Sequence, residues 1–310
     1  MSTILYTHPT FLNHDTGTGH PERADRLRAI ERVLSHELYD DLIRKQASRA
    51  DLETIAYAHP TSYREMLESA SPSESIVYLD GDTIMSPGSL DAAYHGVGAV
   101  LDGVDQVMGG HASNAFCALR PPGHHAESLR PMGFCLFNNV AIAAKYARDK
   151  HGAERVAVVD FDVHHGNGTQ EIFWNDKDLL YASTHQMPLY PGTGAITETG
   201  VGNIFNAPLK EGDGGEQLRE AFEEKLLPAI NEFSPDLLII SAGFDAHADD
   251  PLAGLRMNES DFAWVSQKLV DLADAKCGGR VVSALEGGYD LTSLAKSTGV
   301  HVKVLMDAGN

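Results

Sequence analysis

Short apolar runs that end in polar, glycine-rich segments recur along the chain. The clearest run, Val156–Val159, is mostly β-branched and stops at the polar segment Asp160–His165. Continuous apolar runs of this length are typical of strands that are buried on both faces of a parallel sheet. By the same pattern, strands are predicted at Thr3–Tyr6, Ala115–Leu119, Leu179–Ser183, Asp236–Ala242 and Arg280–Leu285.

Segments with helical spacing of apolar residues separate these strands. The pattern predicts a helix that opens at His20 and carries Arg26 on its first turns, and further helices at Ser89–Met108, Val140–Ala147, Leu218–Phe233 and from Thr169 onward, after a turn at Gly166–Gly168. No linker-like or low-complexity stretch divides the chain. We therefore expect residues 1–310 to form one domain, with a doubly wound parallel sheet and its polar loops gathered at one edge.

Composition restricts the classes of function. The chain has 310 residues, 43% of them hydrophobic, and a formal net charge of −20, which disfavours binding to a nucleic acid backbone. Its three cysteines are widely spaced and include no C-x-x-C pair. No basic, apolar leader and no membrane-spanning run is evident, so we expect a cytoplasmic protein in a reducing compartment.

Candidate metal chemistry follows the Val156–Val159 strand. Asp160, Asp162 and His164 alternate along the chain, so on an extended backbone they would project to the same side. Two neighbouring carboxylates beside an imidazole are costly unless a cation neutralises them. The sequence therefore favours a divalent metal site over the alternative, in which these side chains only cap a turn.

Further polar groups follow other predicted strands. His124 and His125 stand side by side after two prolines and a glycine, as paired histidines suited to acid and base catalysis. Asp245 follows the Asp236–Ala242 strand, and Tyr289 follows Arg280–Leu285. Because the carboxyl ends of parallel strands share one edge, these groups are expected to lie near the metal site.

Four motifs together, RPPGHHA, DFDVHHGNG, SAGFDAHADDPL and EGGYDL, resemble those of the histone deacetylase family, in its class II-like branch. That branch includes bacterial deacetylase-like amidohydrolases and acetylpolyamine amidohydrolases. The resemblance covers almost the whole chain. It implies the arginase/deacetylase α/β fold, with a central, mostly parallel sheet flanked by helices and a site at the C-terminal ends of the strands.

The resemblance also implies a ligand set. Asp162, His164 and Asp245 would bind one zinc ion and leave a coordination position open, although the same donors also suit Fe(II). Related arginases hold two metals with further aspartates. Here Gly166 and His247 stand two residues after His164 and Asp245, so we expect a single metal.

The same resemblance implies the catalytic groups. His125 would act as the general base, and His124 would stabilise charge or deliver a proton to the leaving amine. Asp160 and Asn167 would orient these two histidines, and the neutral Asn167 should leave its partner less basic. The hydroxyl of Tyr289 would bind the oxyanion.

Substrate contacts are implied as well. Gly133, Phe134 and Tyr190 would form the walls of a tunnel for an aliphatic chain, with Leu252 at its rim. A glutamate at the rim would have indicated a cationic polyamine substrate, and leucine removes that signal. Relatives place a polar side chain near Ser86–Ser89, where this sequence offers no match, and the nearby Asp91 has no assigned role.

Two accessory features complete the implied site. A structural potassium ion is expected at Asp160, Asp162, His164, Ser183 and Thr184, largely through backbone carbonyls. Arg26 would line an internal channel through which acetate leaves.

These inferences predict a zinc-dependent deacetylase that hydrolyses acetyl-lysine-type amides to acetate and a free amine. The main alternative is an acetylpolyamine amidohydrolase, which the acidic composition favours and Leu252 disfavours. A non-catalytic acyl-lysine binding protein would lack a ligand or the tyrosine, and neither is missing. Relatives form dimers and tetramers, so a homo-oligomer is consistent with the family.

Overall fold

The main sheet of the protein has eight strands, all paired in parallel. The computed structural model describes residues 2–309. The strands are β1 Thr3–Thr7, β2 Ile43–Gln46, β3 Val77–Tyr78, β4 Ile84–Met85, β5 Asn114–Cys117, β6 Val156–Asp160, β7 Leu179–Gln186, β8 Ile204–Leu209, β9 Leu237–Ala242 and β10 Val281–Leu285. The main sheet has the order β2-β1-β5-β10-β9-β6-β7-β8, and a separate antiparallel hairpin joins β3 and β4.

Helices cover both faces of this sheet. They are α1 Asp25–Leu34, α2 Thr61–Ala70, α3 Ser89–Met108, α4 Asn139–His151, α5 Asn167–Phe173, α6 Gly215–Ala221, α7 Leu227–Phe233, α8 Glu259–Cys277 and α9 Leu291–Gly309. Helices α3 and α4 pack on β5, β10, β9 and β6, whereas α9 packs on β1 and β5 and α8 on β9. Both groups contact β5 or β9, and every residue of these two strands is buried, so the two groups cover opposite faces of the sheet. This confirms the predicted doubly wound α/β architecture.

The central strands are buried along their whole length. Every residue of β6, β9 and β10 is buried, which is what their continuous apolar sequences predict. Four of the strands that carry candidate residues, β5, β10, β9 and β6, are adjacent in the sheet. The loops that follow them therefore meet at one edge.

Among residues 2–309, no helix has the length and apolar character needed to cross a bilayer.

Several predicted boundaries are wrong. The helix expected from His20 begins at Asp25, because the preceding residues form a turn in which Glu22 N donates to His20 Nδ1 at 3.1 Å. The helix expected from Thr169 begins at Asn167, and the carbonyl of His124 accepts from the backbone N–H groups of Gly168 and Thr169. Asn167 thus belongs to the first turn of α5, not to the turn before it.

The helix predicted at Leu218–Phe233 is interrupted. It begins at Gly215 as α6, passes through a π-helical turn at Phe222–Leu226 and continues as α7. Pro228 lies at the start of α7 and has no N–H with which to continue the α-helical hydrogen bonds. The sequence pattern predicts none of the strands β2, β3, β4 and β8, and β7 runs on to Gln186 instead of ending at Ser183.

Candidate active site

Asp162, His164 and Asp245 come together at the carboxyl edge of the sheet. His164 Nδ1 lies 3.2 Å from Asp162 Oδ1 and 3.1 Å from Asp245 Oδ2, and one ligand atom from each residue falls within 4.8 Å of the others. Backbone N–H groups hold both carboxylates: Gly287 N donates to Asp162 at 2.8 Å, and Val163 N to Asp245 at 2.9 Å. The three side chains therefore present a fixed set of two oxygens and one nitrogen.

The chemistry of this triad fits a divalent cation. Both carboxylates are buried, and burial together with the neighbouring Asp162 raises the pKa of Asp245 to about 7. The imidazole of His164 alone thus compensates the negative charge of the two carboxylates poorly, whereas a bound cation would compensate it. Two carboxylates and an imidazole are donors that zinc accepts in catalytic sites, and they leave a position free for a substrate.

Glycine is required next to the triad. A Cβ on Gly287 would lie 2.1 Å from Asp245 Oδ2 and 2.6 Å from Asp162 Oδ2. Any larger residue would therefore push the carboxylates apart. The tight approach explains why a glycine precedes the segment that carries Tyr289.

The residues expected at a potassium site also lie close together. Asp160, at the end of β6, pairs in register with Ser183 of β7, and Thr184 follows. Within the described residues the hydroxyl of Thr184 is buried and has no hydrogen-bond partner. Because a buried hydroxyl without a partner is costly, a cation ligated there would satisfy it. The residues present fit a monovalent ion.

His124 is held by a carboxylate. Its Nδ1 lies 3.0 Å from Asp160 Oδ2, which also accepts from the hydroxyl of Tyr181 at 3.0 Å. Burial lowers the pKa of His124, but the carboxylates of Asp162 and Asp160 outweigh it and raise this pKa to about 10. These carboxylates therefore favour the protonated form of His124, which can give up a proton.

His125 is held by an amide. Its Nδ1 lies 2.8 Å from Asn167 Oδ1. Burial, followed by the nearby His124 and His164, holds the pKa of His125 well below its usual value. The pKa values of the two adjacent imidazoles are thus shifted in opposite directions, which is the arrangement expected of an acid and a base that work as a pair.

Tyr289 faces the same space from the end of β10. Its backbone N–H donates to Asp250 Oδ2 at 2.7 Å, and its ring meets that of Phe134 edge-on with centroids 5.9 Å apart. Burial and the carboxylate of Asp245 hold its pKa well above the usual value. The hydroxyl is accordingly protonated at neutral pH and can donate a hydrogen bond.

Arg26 lies behind Tyr289 and is fully buried. Its Nε donates to the carbonyl of Gly288 at 2.6 Å and its Nη2 to that of Glu286 at 2.5 Å. Glu22 accepts from Arg26 Nη1 at 3.0 Å and also pairs with Arg120. In this structure Arg26 anchors the segment that carries Tyr289.

A cavity of about 240 Å³ leads from the surface to these groups. Its lining includes all four residues predicted to bind the substrate, Gly133, Phe134, Tyr190 and Leu252, together with His125, His164 and Tyr289. The ring of Tyr190 meets that of His125 edge-on, with their centroids 5.2 Å apart. The cavity therefore joins an aromatic entrance to the polar triad.

Sequence reasoning missed Asp82, which also lines this cavity. The Ser86–Ser89 segment and Asp91 do not line it: Ser86 and Ser89 are buried and their hydroxyl oxygens lie 2.9 Å apart, and Asp91 is exposed and pairs with Arg49. Asp82 belongs to the β3–β4 hairpin, whose short strands carry no recognisable apolar pattern. Only tertiary packing brings the carboxylate of Asp82 to the cavity.

The chain belongs to the histone deacetylase family. Residues 20–305 match the family model described as the histone deacetylase domain. The architecture above is accordingly the arginase/deacetylase fold that the sequence motifs predicted. In structure, the chain matches the crystal structure of the HDA15 HD domain with a TM-score of 0.94 and 37% identity, over 99% of this chain and 90% of that one.

Named relatives agree with this membership. Histone deacetylase 10, chloroplastic, of Oryza sativa is 39% identical, over 95% of this chain and 71% of that protein. A probable deacetylase of Archaeoglobus fulgidus is 37% identical over 99% of this chain and 86% of that protein. The histone deacetylase-like amidohydrolase of Pseudomonas aeruginosa is 38% identical over 87% and 73%, respectively. These relatives support a hydrolase of the deacetylase or amidohydrolase type.

Proposed function

We propose that this protein is a zinc-dependent deacetylase that hydrolyses acetyl-lysine-type amides to acetate and a free amine. The observation that carries the proposal is that His164 of the metal triad lines the same cavity as His125 and Tyr289. The triad of Asp162, His164 and Asp245 offers its donor atoms within 4.8 Å of one another, and His125 and Tyr289 line the cavity beside His164.

Each residue has a role that its surroundings support. Zinc bound by the triad would polarise the acyl carbonyl and lower the pKa of a water molecule. His125 is neutral and accepts the proton of the attacking water at Nε2, since its Nδ1 faces Asn167. Tyr289 donates its hydroxyl hydrogen to the carbonyl oxygen as that oxygen gains charge. His124 delivers its proton to the departing amine.

The walls of the cavity suit an unbranched aliphatic chain. Phe134 and Tyr190 present aromatic faces, and Gly133 leaves no side chain between them and His125. We assign the structural potassium ion to Asp160, Asp162, His164, Ser183 and Thr184, on the strength of the unpartnered Thr184 hydroxyl. We also assign Arg26 to the exit path of acetate, since it lies behind Tyr289 on the buried side of the site.

An acetylpolyamine substrate is the second candidate, and Asp82 favours it. This carboxylate lines the cavity, so it supplies an anionic group that Leu252 does not. A protonated amine at the far end of a diamine chain would be attracted to it.

Acetate release tests both candidates. The zinc-loaded protein is offered an acetyl-lysine peptide and N-acetylputrescine under the same conditions. Faster turnover of the peptide supports the leading proposal, and a clear preference for the small amine replaces it with the second. A zinc-loaded protein that is inert toward both substrates, and toward longer acyl groups, contradicts the proposed activity and favours a binding protein.

A further inference from the structure

The amide of Asn167 bridges His125 to a second acidic residue, Glu127. Asn167 Oδ1 lies 2.8 Å from His125 Nδ1, and Asn167 Nδ2 donates to Glu127 Oε1 at 2.8 Å. The same nitrogen also contacts Met132 Sδ at 3.3 Å. Neither the sequence motifs nor the mechanism above gives Glu127 a role.

The orientation of this amide decides which nitrogen of His125 carries the proton. When Oδ1 faces His125, Nδ1 must carry the hydrogen and Nε2 keeps its lone pair. If the amide turned over, its N–H would face the ring, and Nδ1 would become the acceptor. The proton would then sit on Nε2, and His125 could not act as a base there.

An amide alone does not select between these orientations, because its two ends have nearly the same shape. A carboxylate does, because an ionised carboxylate only accepts hydrogen bonds. With Glu127 on one side, a reversed amide would set oxygen against oxygen. His124 needs no such help, because its own partner, Asp160, accepts hydrogen bonds directly.

Glu127 is held in place for this contact. It is half-buried, and its backbone forms a two-residue bridge with Arg130, with Glu127 N donating to Arg130 O at 3.0 Å and Arg130 N to Glu127 O at 3.3 Å. It directly follows the His124-His125-Ala126 segment, so the loop that presents the base also presents the group that orients its partner.

We propose that Glu127 is a positioning residue whose carboxylate fixes the Asn167 amide, so that His125 keeps its proton on Nδ1 and its lone pair on Nε2. The consequence for catalysis rests on the proposed function, whereas the tautomer itself does not. Loss of Glu127 should lower kcat by about 10–100-fold, the range found when outer partners of a site are removed.

The tautomer can be read directly by NMR. In zinc-loaded protein labelled with ¹⁵N-histidine, the resonances of His125 are those lost in His125→Gln. The wild type should show a protonated Nδ1 and an unprotonated Nε2, and Glu127→Leu should move the pattern toward a protonated Nε2. Glu127→Gln keeps the shape of the side chain and one acceptor oxygen, so its His125 pattern should lie between those of the wild type and Glu127→Leu. This variant replaces Glu127→Leu in the test if the leucine variant does not fold.

Glu171, on α5, provides a matched control because its carboxylate binds the same loop. Its carboxylate accepts from Ser128 N at 3.0 Å and from Ser128 Oγ at 2.8 Å, whereas the side-chain N–H of Asn167 donates to Glu127. Glu171→Leu should therefore leave the His125 tautomer unchanged. In the Asn167→Asp variant, the side chain that faces His125 Nδ1 can only accept a hydrogen bond. Adding Glu127→Leu to this variant should therefore lower kcat less than Glu127→Leu does in the wild type.

Two results would overturn the proposal: an Nε2-protonated His125 in the wild type, or a pattern that Glu127→Leu and Glu127→Gln both leave unchanged. Either result in an active enzyme leaves the deacetylase function intact. Conversely, the expected tautomers in a protein that hydrolyses no acylated amine would support the positioning role and contradict the proposed function.

Discussion

The guanidinium of Arg26 lies over the ring of Tyr289, with its central carbon 5.0 Å from the ring centroid. The same guanidinium binds the carbonyls of Glu286 and Gly288, on either side of the tight glycine segment. Because Arg26 lies on α1 and Tyr289 follows β10, this contact joins the N-terminal part of the chain to the carboxyl edge of the sheet.

Replacing Arg26 with methionine should reduce both stability and rate. The change leaves two carbonyls and one oxygen of Glu22 without their donor in a buried place, at a cost of about 2–4 kcal/mol of unfolding free energy. Arg28→Met is the control, since Arg28 is exposed and its pairing with Asp25 should contribute at most ~0.5 kcal/mol. Denaturant unfolding of both variants checks this, and equal losses would contradict the anchoring role.

Replacing Tyr289 with phenylalanine should lower kcat by about 10²–10³-fold, with little change in KM. The ring and its packing on Phe134 remain, and only the donor to the carbonyl oxygen is lost. Steady-state kinetics, together with the melting temperature and zinc content of the variant, separate this effect from unfolding. Turnover at the wild-type rate would exclude the hydroxyl from the reaction.

Replacing Asp82 with asparagine should weaken cationic substrates selectively. The expected loss in kcat/KM is about 3–10-fold for an acetylated diamine, consistent with a partly exposed charge pair of about 1 kcal/mol, and it should shrink at high salt. A neutral acetamide should be little affected. Asp91→Asn is the control, because Asp91 is exposed and pairs with Arg49. Equal effects on charged and neutral substrates would argue against recognition by this carboxylate.

Acid should destabilise the protein partly through His301. This histidine is fully buried between the hydroxyls of Ser266 and Ser283, and burial lowers its pKa to about 3. Below pH 6.5 the unfolded chain takes up a proton that the folded state refuses, so stability falls as the pH falls toward 3. At pH 4.5 the loss of unfolding free energy that comes from His301, relative to neutral pH, is about 2–3 kcal/mol.

The His301→Gln variant should therefore lose less stability than the wild type between pH 7 and pH 4.5, even if it is less stable at pH 7. Unfolding free energies measured at both pH values check the difference in slope. Parallel pH profiles for the two proteins would show that His301 does not contribute.

The sequence predicted the centre of the sheet better than its edges. Strands such as Val156–Asp160 must be apolar because both faces are covered, and that pattern can be read directly. Strand β2 is an edge strand with mostly exposed side chains, Ile43-Arg-Lys-Gln46, and forms through backbone pairing with β1. Pairing of that kind leaves no apolar signature, so β2 became visible only in the structure.

The candidate site divides in the same way. Asp162, His164 and Asp245 follow strands whose carboxyl ends must converge, so their meeting could be expected from the sequence. Asp82 and Glu127 lie in loops whose positions depend on tertiary packing. In the sequence, Asp82 and Glu127 cannot be told from the many acidic residues of the surface. Only their contacts in the structure distinguish them.

Metal binding by Asp162, His164 and Asp245 is the claim on which the account depends, and titration of the metal-free protein with zinc tests it most directly. We expect one zinc ion per chain and a large loss of affinity in Asp245→Ala. Asp249→Asn, an exposed acidic neighbour, should bind zinc as the wild type does. A wild-type protein that takes up no zinc, or an Asp245→Ala variant that binds it equally well, would contradict the account.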